Sequence, residues 1–241
     1  MDNYFSREEL LIGKEAIEIL KNSRVAVFGV GGVGGFVVEV LARCGVGTID
    51  VIDNDVVDPS NINRQIIATV DTIGQEKVNV VEQRIKSINP NAVVNKHRCF
   101  FLPETAKDFD FTEFDYVVDA IDTVSGKIEI ILQAKKAGVP VISCMGAGNK
   151  LDPTAFVVTD IYKTSVCPLA RVMRQKLKKL GVQDLKVVYS TEKAMKPNYP
   201  PDMLTQRKVA PGSVAFVPSV AGIIAGSEVI KDLIGYNKNK N

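Results

Sequence analysis

The sequence is poor in residues that form covalent or metal cross-links. Its 241 residues include no tryptophan, one histidine and four cysteines. The cysteines form no Cys-x-x-Cys pair, which excludes a structural zinc site built from two such pairs; they are Cys44, Cys99, Cys144 and Cys167. Isolated cysteines are typical of a reducing compartment, and we find no signal-peptide pattern. We therefore expect a cytoplasmic protein without zinc.

Long hydrophobic runs and an excess of charge are also missing. A membrane span needs roughly 18 consecutive apolar residues. The best candidate, 214–224, is shorter than that and contains Pro218 and Gly222. The 30 basic and 28 acidic residues give a net charge of +2, which neither requires nor excludes a nucleic-acid partner, because a basic patch can exist within a nearly neutral total. The sequence predicts a soluble protein with no membrane segment.

Apolar runs alternate with helix patterns along the first part of the chain. Strands are predicted at 24–28, 48–53, 93–94 and just beyond, 116–120 and 139–144, and helices at 5–22, 35–44, 76–88 and 125–137. In the first helix an apolar stripe is formed by Leu10, Leu11, Ile17, Ile19 and Leu20. Because most strands are almost entirely apolar, they predict a mostly parallel sheet covered by helices on both faces. The predicted fold is a doubly wound α/β domain of Rossmann type.

The pattern changes after Asn149. Strands are predicted at 155–160 and 186–190 with a basic helix between them, followed by a loop at 193–212 and a final helix at 220–234. With no internal repeat and no low-complexity linker, we expect a single domain over 1–241. Its nucleotide-binding core would span about 20–147, and a basic, substrate-binding strand/helix extension about 149–241.

A glycine-rich loop follows the first strand. The segment GVGGVG contributes four glycines before the next helix: Gly29, Gly31, Gly32 and Gly34. Backbone amides at a helix N-terminus can hold phosphate, and glycines allow its close approach. Asp53 ends the second strand, where an acid accepts hydrogen bonds from ribose hydroxyls. The alternative is that the glycines serve only strand–helix packing and that Asp53 is a solvated acid. The combination favours a bound nucleotide.

A polar cluster beyond Asp53 indicates which nucleotide. The stretch VIDNDVVDPSNINRQ supplies further candidates for nucleotide contact: Asp55, Ser60, Asn61, Asn63, Arg64 and Gln65. Arg64 carries a forked, permanent charge suited to phosphate oxygens, and Lys77 begins the next helix. Asp122 follows the fourth strand, where a carboxylate facing a triphosphate can bind Mg²⁺. This set favours ATP with Mg²⁺, attacked at the α-phosphate, over a nicotinamide cofactor. The alternatives are a surface ion pair at Arg64, a solvated helix start at Lys77 and a helix cap at Asp122.

The chain resembles the ATP-adenylating domain of ubiquitin-activating-type (ThiF-like) enzymes. The likeness rests on five motifs in order: GVGGVG, the strand end at Asp53, SNINRQ, GQEKV and DAIDT. It implies that Gly32 and Asp53 contact the nucleotide, that 60–64 binds ribose and phosphates, and that Lys77 and Asp122 complete the phosphate and Mg²⁺ contacts. It also implies a homodimer that donates an N-terminal arginine to the γ-phosphate across the interface. The candidate catalytic residues are thus Arg64, Lys77, Asp122 and Arg7, with an ordinary solvated charge as the alternative for Arg7.

The chain departs from one branch of that family and is similar to another. Sulfur-carrier adenylyltransferases usually bind zinc through two Cys-x-x-Cys pairs, which this chain lacks. The segments FSREELLIGKEAIEIL, INRQI and SVCPLARVMRQKLKKLGV instead resemble tRNA threonylcarbamoyladenosine dehydratases. That branch implies ATP-dependent cyclisation of threonylcarbamoyladenosine in tRNA through an adenylated carboxylate; a sulfur-relay partner and a monovalent cation stay open. Three other functions stay open too: activation of a ubiquitin-like sulfur carrier, an NAD-binding oxidoreductase, and a non-catalytic scaffold on tRNA.

The C-terminal portion contains a basic segment, and the resemblance implies that it binds the tRNA backbone. The candidates are Arg171, Arg174, Lys176, Lys178, Lys179, Lys186, Lys193 and Lys196, with Tyr189 and Tyr199 as base-stacking candidates. The alternative is a solvated amphipathic helix that buries Leu169, Val172, Met173, Leu177 and Leu180. Cys167 lies where related enzymes carry a catalytic thiol. No histidine is near it in sequence, so we interpret Cys167 as a small buried residue.

Overall fold

The computed structural model describes residues 4–198 and 210–236. The strands are β1 Arg24–Phe28, β2 Thr48–Ile52, β3 Val93–His97, β4 Tyr116–Asp119, β5 Val141–Cys144, β6 Phe156–Asp160 and β7 Lys186–Ser190. The helices are α1 Ser6–Ile12, α2 Lys14–Asn22, α3 Gly34–Arg43, α4 Lys77–Ile88, α5 Val124–Ala137, α6 Pro168–Lys179 and α7 Phe216–Leu233. Short 3₁₀ turns connect several of these elements.

All seven strands form one sheet in the order β3-β2-β1-β4-β5-β7-β6. Every pairing is parallel except that of β6 with β7, which is antiparallel. The chain moves outward from β1 through β2 to β3 and then returns to place β4 on the other side of β1. The predicted doubly wound, mostly parallel sheet is confirmed, and β6 and β7 form the C-terminal extension beside β5.

Alternate strand residues enter two separate cores, because neighbouring side chains on a strand face opposite sides of the sheet. Val25 and Val27 of β1 face the core beneath α3, α4 and α7. Ala26 and Phe28 of the same strand face the core beneath α5 and α6. This coverage explains why the strands read as nearly continuous apolar runs.

Helix α7 packs against α3 through glycines at positions where a side chain would clash. A Cβ added at Gly222 would lie 2.3 Å from the main-chain oxygen of Val33, and one at Gly226 would lie 2.8 Å from Cβ of Val40. The helix begins at Phe216, four residues before the predicted start, so Pro218 lies inside its first turn. Proline is tolerated there because first-turn N–H groups have no acceptor within the helix.

The single N-terminal helix predicted at 5–22 is wrong. Gly13, with a φ of 85°, separates α1 from α2, and this left-handed conformation ends the helical path. Ile17 and Leu20 of α2 are buried as predicted, whereas Leu10 and Leu11 of α1 are 90% and 86% exposed. The predicted stripe therefore stops at the break, since the two helices do not present a common face. Ile19 is also exposed.

None of the helices within 4–198 and 210–236 is both long enough and apolar enough to cross a membrane.

Candidate nucleotide site

A cleft of about 620 Å³ opens at the carboxyl ends of the central strands. It lies where the strand order reverses between β1 and β4, so that the loops following these strands diverge. Such a crevice is where open α/β sheets bind ligands. It brings together most of the residues predicted to contact a nucleotide: Gly29, Gly31, Gly32, Asp53, Asp55, Asn61, Arg64, Gln65, Lys77 and Asp122.

The four glycines of the loop after β1 have two different roles. Gly29 has a φ of 84°, and a Cβ there would lie 2.9 Å from the main-chain oxygen of Ala120. A Cβ at Gly34 would lie 1.7 Å from the main-chain oxygen of Gly29. These two glycines therefore serve packing, and Gly34 does not line the cleft. Gly31 and Gly32 line it and leave the backbone accessible at the start of α3.

Asp53 is held at the end of β2 by main-chain donors. Its Oδ2 accepts a hydrogen bond from the Val30 amide at 2.9 Å, and its Oδ1 accepts one from the Asp55 amide at 2.9 Å. Each carboxylate oxygen can accept a second hydrogen bond. The carboxylate thus has a fixed position with free acceptor capacity in the cleft.

Arg64 is oriented by its own loop. Its Nη1 donates to the main-chain oxygen of Ser60 at 2.8 Å and to Oδ1 of Asn63 at 3.0 Å. In the part of the chain that the structure describes, no carboxylate forms an ion pair with Arg64, which argues against the surface ion pair considered above. Ser60 and Asn63 do not line the cleft themselves. The main-chain amide of Ser60 donates to Oδ1 of Asp58, and the side-chain amide of Asn63 donates to the main-chain oxygen of Ser213.

The amide of Gln65 has an unused acceptor. Gln65 is only 6% exposed, and its Oε1 has no hydrogen-bond partner. Leaving a buried acceptor unpaired is unfavourable by about 1–3 kcal/mol. Gln65 lines the cleft, and its Nε2 is the atom that lies next to Gly31, 3.6 Å from a Cβ built there.

Lys77 begins α4 but is not a solvated helix start. Its side chain is 5% exposed, and Nζ lies 2.8 Å from Oδ2 of Asp55, whose own side chain is 58% exposed. The main chain reinforces this contact, since the Lys77 amide donates to the Asp55 carbonyl at 3.0 Å. The ammonium is therefore directed into the cleft from a buried stem.

The two acids that follow β4 have different surroundings. Asp119 is fully buried and forms an ion pair with Lys127, with Nζ and Oδ2 2.9 Å apart. Asp122 is exposed at the mouth of the cleft. Thr123, not Asp122, occupies the cap position of α5; its side chain forms no capping hydrogen bond to the helix main chain, and its Oγ1 instead donates to Oδ1 of Asp122 at 3.4 Å. The helix-cap alternative for Asp122 is therefore wrong.

Several cleft residues carried no signal in the sequence. Pro218 of α7 lies against Gly32 and Pro211 lies against Gly148, and Phe100 and Phe101 also line the cleft. Prolines, small residues and aromatics are common in loops and cores alike. Whether such residues line the cleft depends on how distant segments of the chain pack together and not on residue type.

Comparison with known proteins identifies the family. Residues 5–241 match the ThiF family. The chain belongs to that family. It is 45% identical to the tRNA threonylcarbamoyladenosine dehydratase of Bacillus subtilis, over 97% of this chain and 96% of that protein. It is 33% identical to the Escherichia coli protein of the same name, over 93% and 91% of the two chains. The crystal structure of E. coli tRNA N6-threonylcarbamoyladenosine dehydratase in complex with ATP superposes with a TM-score of 0.88 at 32% identity, covering 99% of this chain and 96% of that chain.

Helix α6 of this ThiF-family chain presents part of the predicted basic face. Its exposed cations are Arg171, Lys176, Lys178 and Lys179, and Lys193 and Lys196 are exposed in the following segment. Met173 and Leu177 are buried as predicted, whereas Val172 and Leu180 are exposed. The predicted apolar face is thus narrower than expected.

Two of the predicted cations have partners within the protein. Nη1 of Arg174 donates to the main-chain oxygen of Thr164 at 2.9 Å. Lys186 lies 2.6 Å from Asp232 and 3.4 Å from Glu228. These two side chains are less available to a phosphate backbone than the exposed lysines. Tyr189 is 5% exposed, so the prediction that it stacks on a base is wrong, and Tyr199 lies outside the described residues.

Arg7 and Cys167 lie outside the cleft. Arg7 is exposed on α1 and does not line the cleft of its own chain. Cys167 is 3% exposed immediately before α6, as predicted for a small buried residue. A second thiol, Cys144, is also buried, and burial raises its pKa to about 12. Neither thiol is presented to the cleft as a nucleophile.

Proposed function

We propose that this protein uses ATP to dehydrate N6-threonylcarbamoyladenosine in tRNA to its cyclic form. The observation that carries the proposal is the near full-length similarity to bacterial proteins of that activity. The cleft supports it, since it combines a ribose acceptor, phosphate-binding cations and an exposed carboxylate. We place the reaction in the cytoplasm.

The nucleotide is held by main-chain amides of the loop after β1 and by side chains between β2 and the start of α4. Asp53 accepts hydrogen bonds from the ribose hydroxyls, and main-chain amides near Gly31 and Gly32 face the phosphates at the start of α3. Arg64 and Lys77 donate to phosphate oxygens. The side-chain amide of Gln65 lies beside Gly31 in the wall of the cleft.

Asp122 is the candidate ligand for Mg²⁺. The described residues contain no cluster of three or more histidine, cysteine or acidic side chains that could enclose a metal. A single carboxylate, that of Asp122, fits Mg²⁺, because this ion usually takes one or two carboxylates from the protein and completes its coordination with substrate phosphates and water. When bound, the ion neutralises charge on the triphosphate and on the departing pyrophosphate.

The chemistry proceeds in two displacements. The threonyl carboxylate of the modified adenosine attacks the α-phosphorus, and the bond to the β,γ-phosphates breaks to release pyrophosphate. A nucleophilic atom within the same modified group then attacks the activated carbonyl carbon and releases its proton to solvent, and AMP departs with the former carboxylate oxygen. The tRNA loses the elements of water, while ATP becomes AMP and pyrophosphate. Arg64 and Lys77 contribute by stabilising negative charge on the phosphates during the first displacement.

The exposed cations of α6 bind the tRNA backbone, together with Lys193 and Lys196. Each phosphate contact by a lysine releases bound counterions and adds to the salt dependence of binding. Replacing Lys178 and Lys179 with glutamine therefore weakens tRNA binding and lowers its salt slope by about 1 for each phosphate that is no longer neutralised. Lys136 serves as a control because it is exposed on α5, outside the proposed tRNA-binding segment, and its replacement is expected to leave the salt slope unchanged.

A homodimer completes the site, with Arg7 of one protomer reaching the triphosphate of its partner. Arg7→Ala then lowers activity, and mixing it with Asp122→Ala protein restores part of the activity through mixed dimers. A monomeric mass at micromolar concentration would remove this role.

Nucleoside mass spectrometry tests the function directly. Protein, ATP, Mg²⁺ and tRNA carrying threonylcarbamoyladenosine are incubated, and the nucleoside is expected to lose the mass of water. Arg64→Ala and Asp122→Ala abolish the change, whereas Lys136→Gln does not. An unchanged nucleoside, combined with pyrophosphate exchange that requires a carrier protein, would instead identify a sulfur-carrier adenylyltransferase.

A further inference from the structure

A buried ion pair lies directly beneath the turn that carries Asp122. Lys127 and Asp119 are both fully buried, and neither lines the cleft. Replacing such a pair by apolar residues of similar size is often neutral or stabilising. Stability alone therefore gives no strong reason for charges at these two positions.

The Lys127 ammonium joins three parts of the sheet edge. Its Nζ lies 2.9 Å from Oδ2 of Asp119, and it donates to the main-chain oxygens of Ile121 at 3.1 Å and Cys144 at 2.9 Å. Three acceptors match the three protons of an ammonium group. One side chain on α5 thus ties the turn after β4 to the end of β5.

Asp119 is arranged around this ammonium. Its Oδ2 also accepts a hydrogen bond from the hydroxyl of Ser143, while its Oδ1 is buried without any partner. The start of α5 is packed against the same turn, since a Cβ at Gly126 would lie 2.6 Å from Cδ1 of Ile121. The turn is therefore held both by the carbonyl of Ile121 and by the side chain of Ile121.

We propose that Lys127 is a positioning residue for the metal–triphosphate complex. By fixing the carbonyl of Ile121, which precedes Asp122 in the chain, it directs the Asp122 carboxylate into the cleft. Lys127 touches neither nucleotide nor metal. This inference rests on the proposed function, because it requires that Asp122 binds Mg²⁺ together with ATP.

The test uses Mn²⁺ as a spectroscopic substitute for Mg²⁺. Electron paramagnetic resonance measures the Mn²⁺ Kd of the complex with α,β-methylene-ATP, and calorimetry measures the Kd of the analogue without metal. The variant Asp119→Leu/Lys127→Met removes both charges and avoids an unpaired buried carboxylate. It is expected to bind the analogue alone with unchanged affinity and to bind Mn²⁺ about tenfold to a hundredfold more weakly, the range typical of groups that orient a metal ligand.

Two further variants separate positioning from general stability. Lys127→Arg keeps the charge but replaces a compact ammonium with a planar fork, so it is also expected to weaken Mn²⁺ binding. Tyr116→Phe, on the same strand as Asp119, removes a partly buried hydrogen bond of 2.7 Å to Asp232 and is expected to leave the turn intact. It is expected to lower stability and keep the Mn²⁺ Kd.

Wild-type Mn²⁺ affinity in Lys127→Arg, or in a folded double variant, overturns the proposal. An equal loss of Mn²⁺ affinity in Tyr116→Phe overturns it as well, because the effect would then follow stability. Failure of the wild-type protein to bind the analogue at all would instead count against the proposed function.

Discussion

Two lysine–carboxylate pairs lie at the same edge of the sheet, and their geometry is almost identical. Lys77 approaches Asp55 to 2.8 Å, and Lys127 approaches Asp119 to 2.9 Å. Both lysine side chains are buried. The difference lies in the acids, since Asp55 is 58% exposed and Asp119 is fully buried.

Partner exposure decides what each lysine can do. If Lys77 turns to a phosphate, the Asp55 carboxylate remains solvated, so the exchange leaves no buried charge behind. If Lys127 moved, it would leave the Asp119 carboxylate inside the protein without a counter-charge, which is strongly unfavourable. The first pair can open for a ligand, while the second is a permanent part of the fold. Distance alone would not distinguish them.

The largest expected effect is on stability and comes from breaking the buried pair of Lys127 and Asp119. Lys127→Met leaves Asp119 buried without its cation, so the free energy of unfolding is expected to fall by about 3–5 kcal/mol. Urea unfolding monitored by circular dichroism measures this change. Recovery of most of the loss in Asp119→Leu/Lys127→Met would identify the unpaired charge as its cause; a loss below about 1 kcal/mol in the single variant would contradict this interpretation.

Removing the other lysine is expected to affect activity instead. Lys77→Met keeps most of the buried stem but removes the ammonium that, under the proposed function, donates to the triphosphate. We therefore expect kcat/KM for nucleoside dehydration to fall by about 10²- to 10³-fold, as for other groups that stabilise developing charge. The urea midpoint stays close to wild type. A variant that loses stability and activity together would make Lys77 equivalent to Lys127 and remove the distinction.

A second buried acid, Asp50, shows what charge burial does away from the cleft. Asp50 of β2 is fully buried, which alone would raise its pKa, but hydrogen bonds from His97, Arg24 and Asn95 lower it to about 2. The unfolded chain binds this proton more readily, since the ordinary value is 3.8. The carboxylate therefore contributes about 2 kcal/mol above roughly pH 4, and this contribution is lost as the pH falls towards about 2.

Unfolding measured between about pH 6 and about pH 2 tests this contribution. Wild-type protein is expected to lose stability more steeply on acidification than Asp50→Asn, which cannot gain the proton. Parallel curves for the two proteins would mean that Asp50 titrates alike in the folded and unfolded states.

The smallest expected effect comes from the exposed acid. Asp55→Asn removes the charge beside Lys77, and the free energy of unfolding is expected to change by less than about 1 kcal/mol, as for other solvent-accessible pairs. Comparing the losses of unfolding free energy in Asp55→Asn and Lys127→Met then contrasts a pair with an exposed acid and a pair with a buried acid. A loss as large as that of Lys127→Met would show that Asp55 is structural.

The sequence predicted the strand-end residues of the cleft better than the contacts between them. Asp53 and Asp122 were predictable because parallel strands bring their carboxyl ends to one edge. The pairing of Lys127 with Asp119 was not, because it depends on how α5 packs against β4 and β5. Arg174 is a similar case, since Thr164 is brought to it by the turn before α6.

The N-terminal error has a different physical origin. Helical periodicity continues across Gly13, but the backbone there adopts a left-handed φ that ends α1. A glycine within a helical pattern is compatible with both a continuous helix and a break, so the pattern alone could not exclude the break. Leu10 and Leu11, before the break, are exposed, whereas Ile17 and Leu20, after it, are buried.

The spread of the cleft along the chain has a consequence during protein synthesis. Its lining starts at Gly29 and ends at Pro218 in α7. A nascent chain that has emerged only through β5 already has its glycine loop and Asp122, but Pro211 and Pro218 of the cleft wall are still inside the ribosome. We therefore expect ribosome-bound and prematurely terminated chains to lack a complete nucleotide site. Nucleotide binding would then begin only after almost all of the chain has been translated.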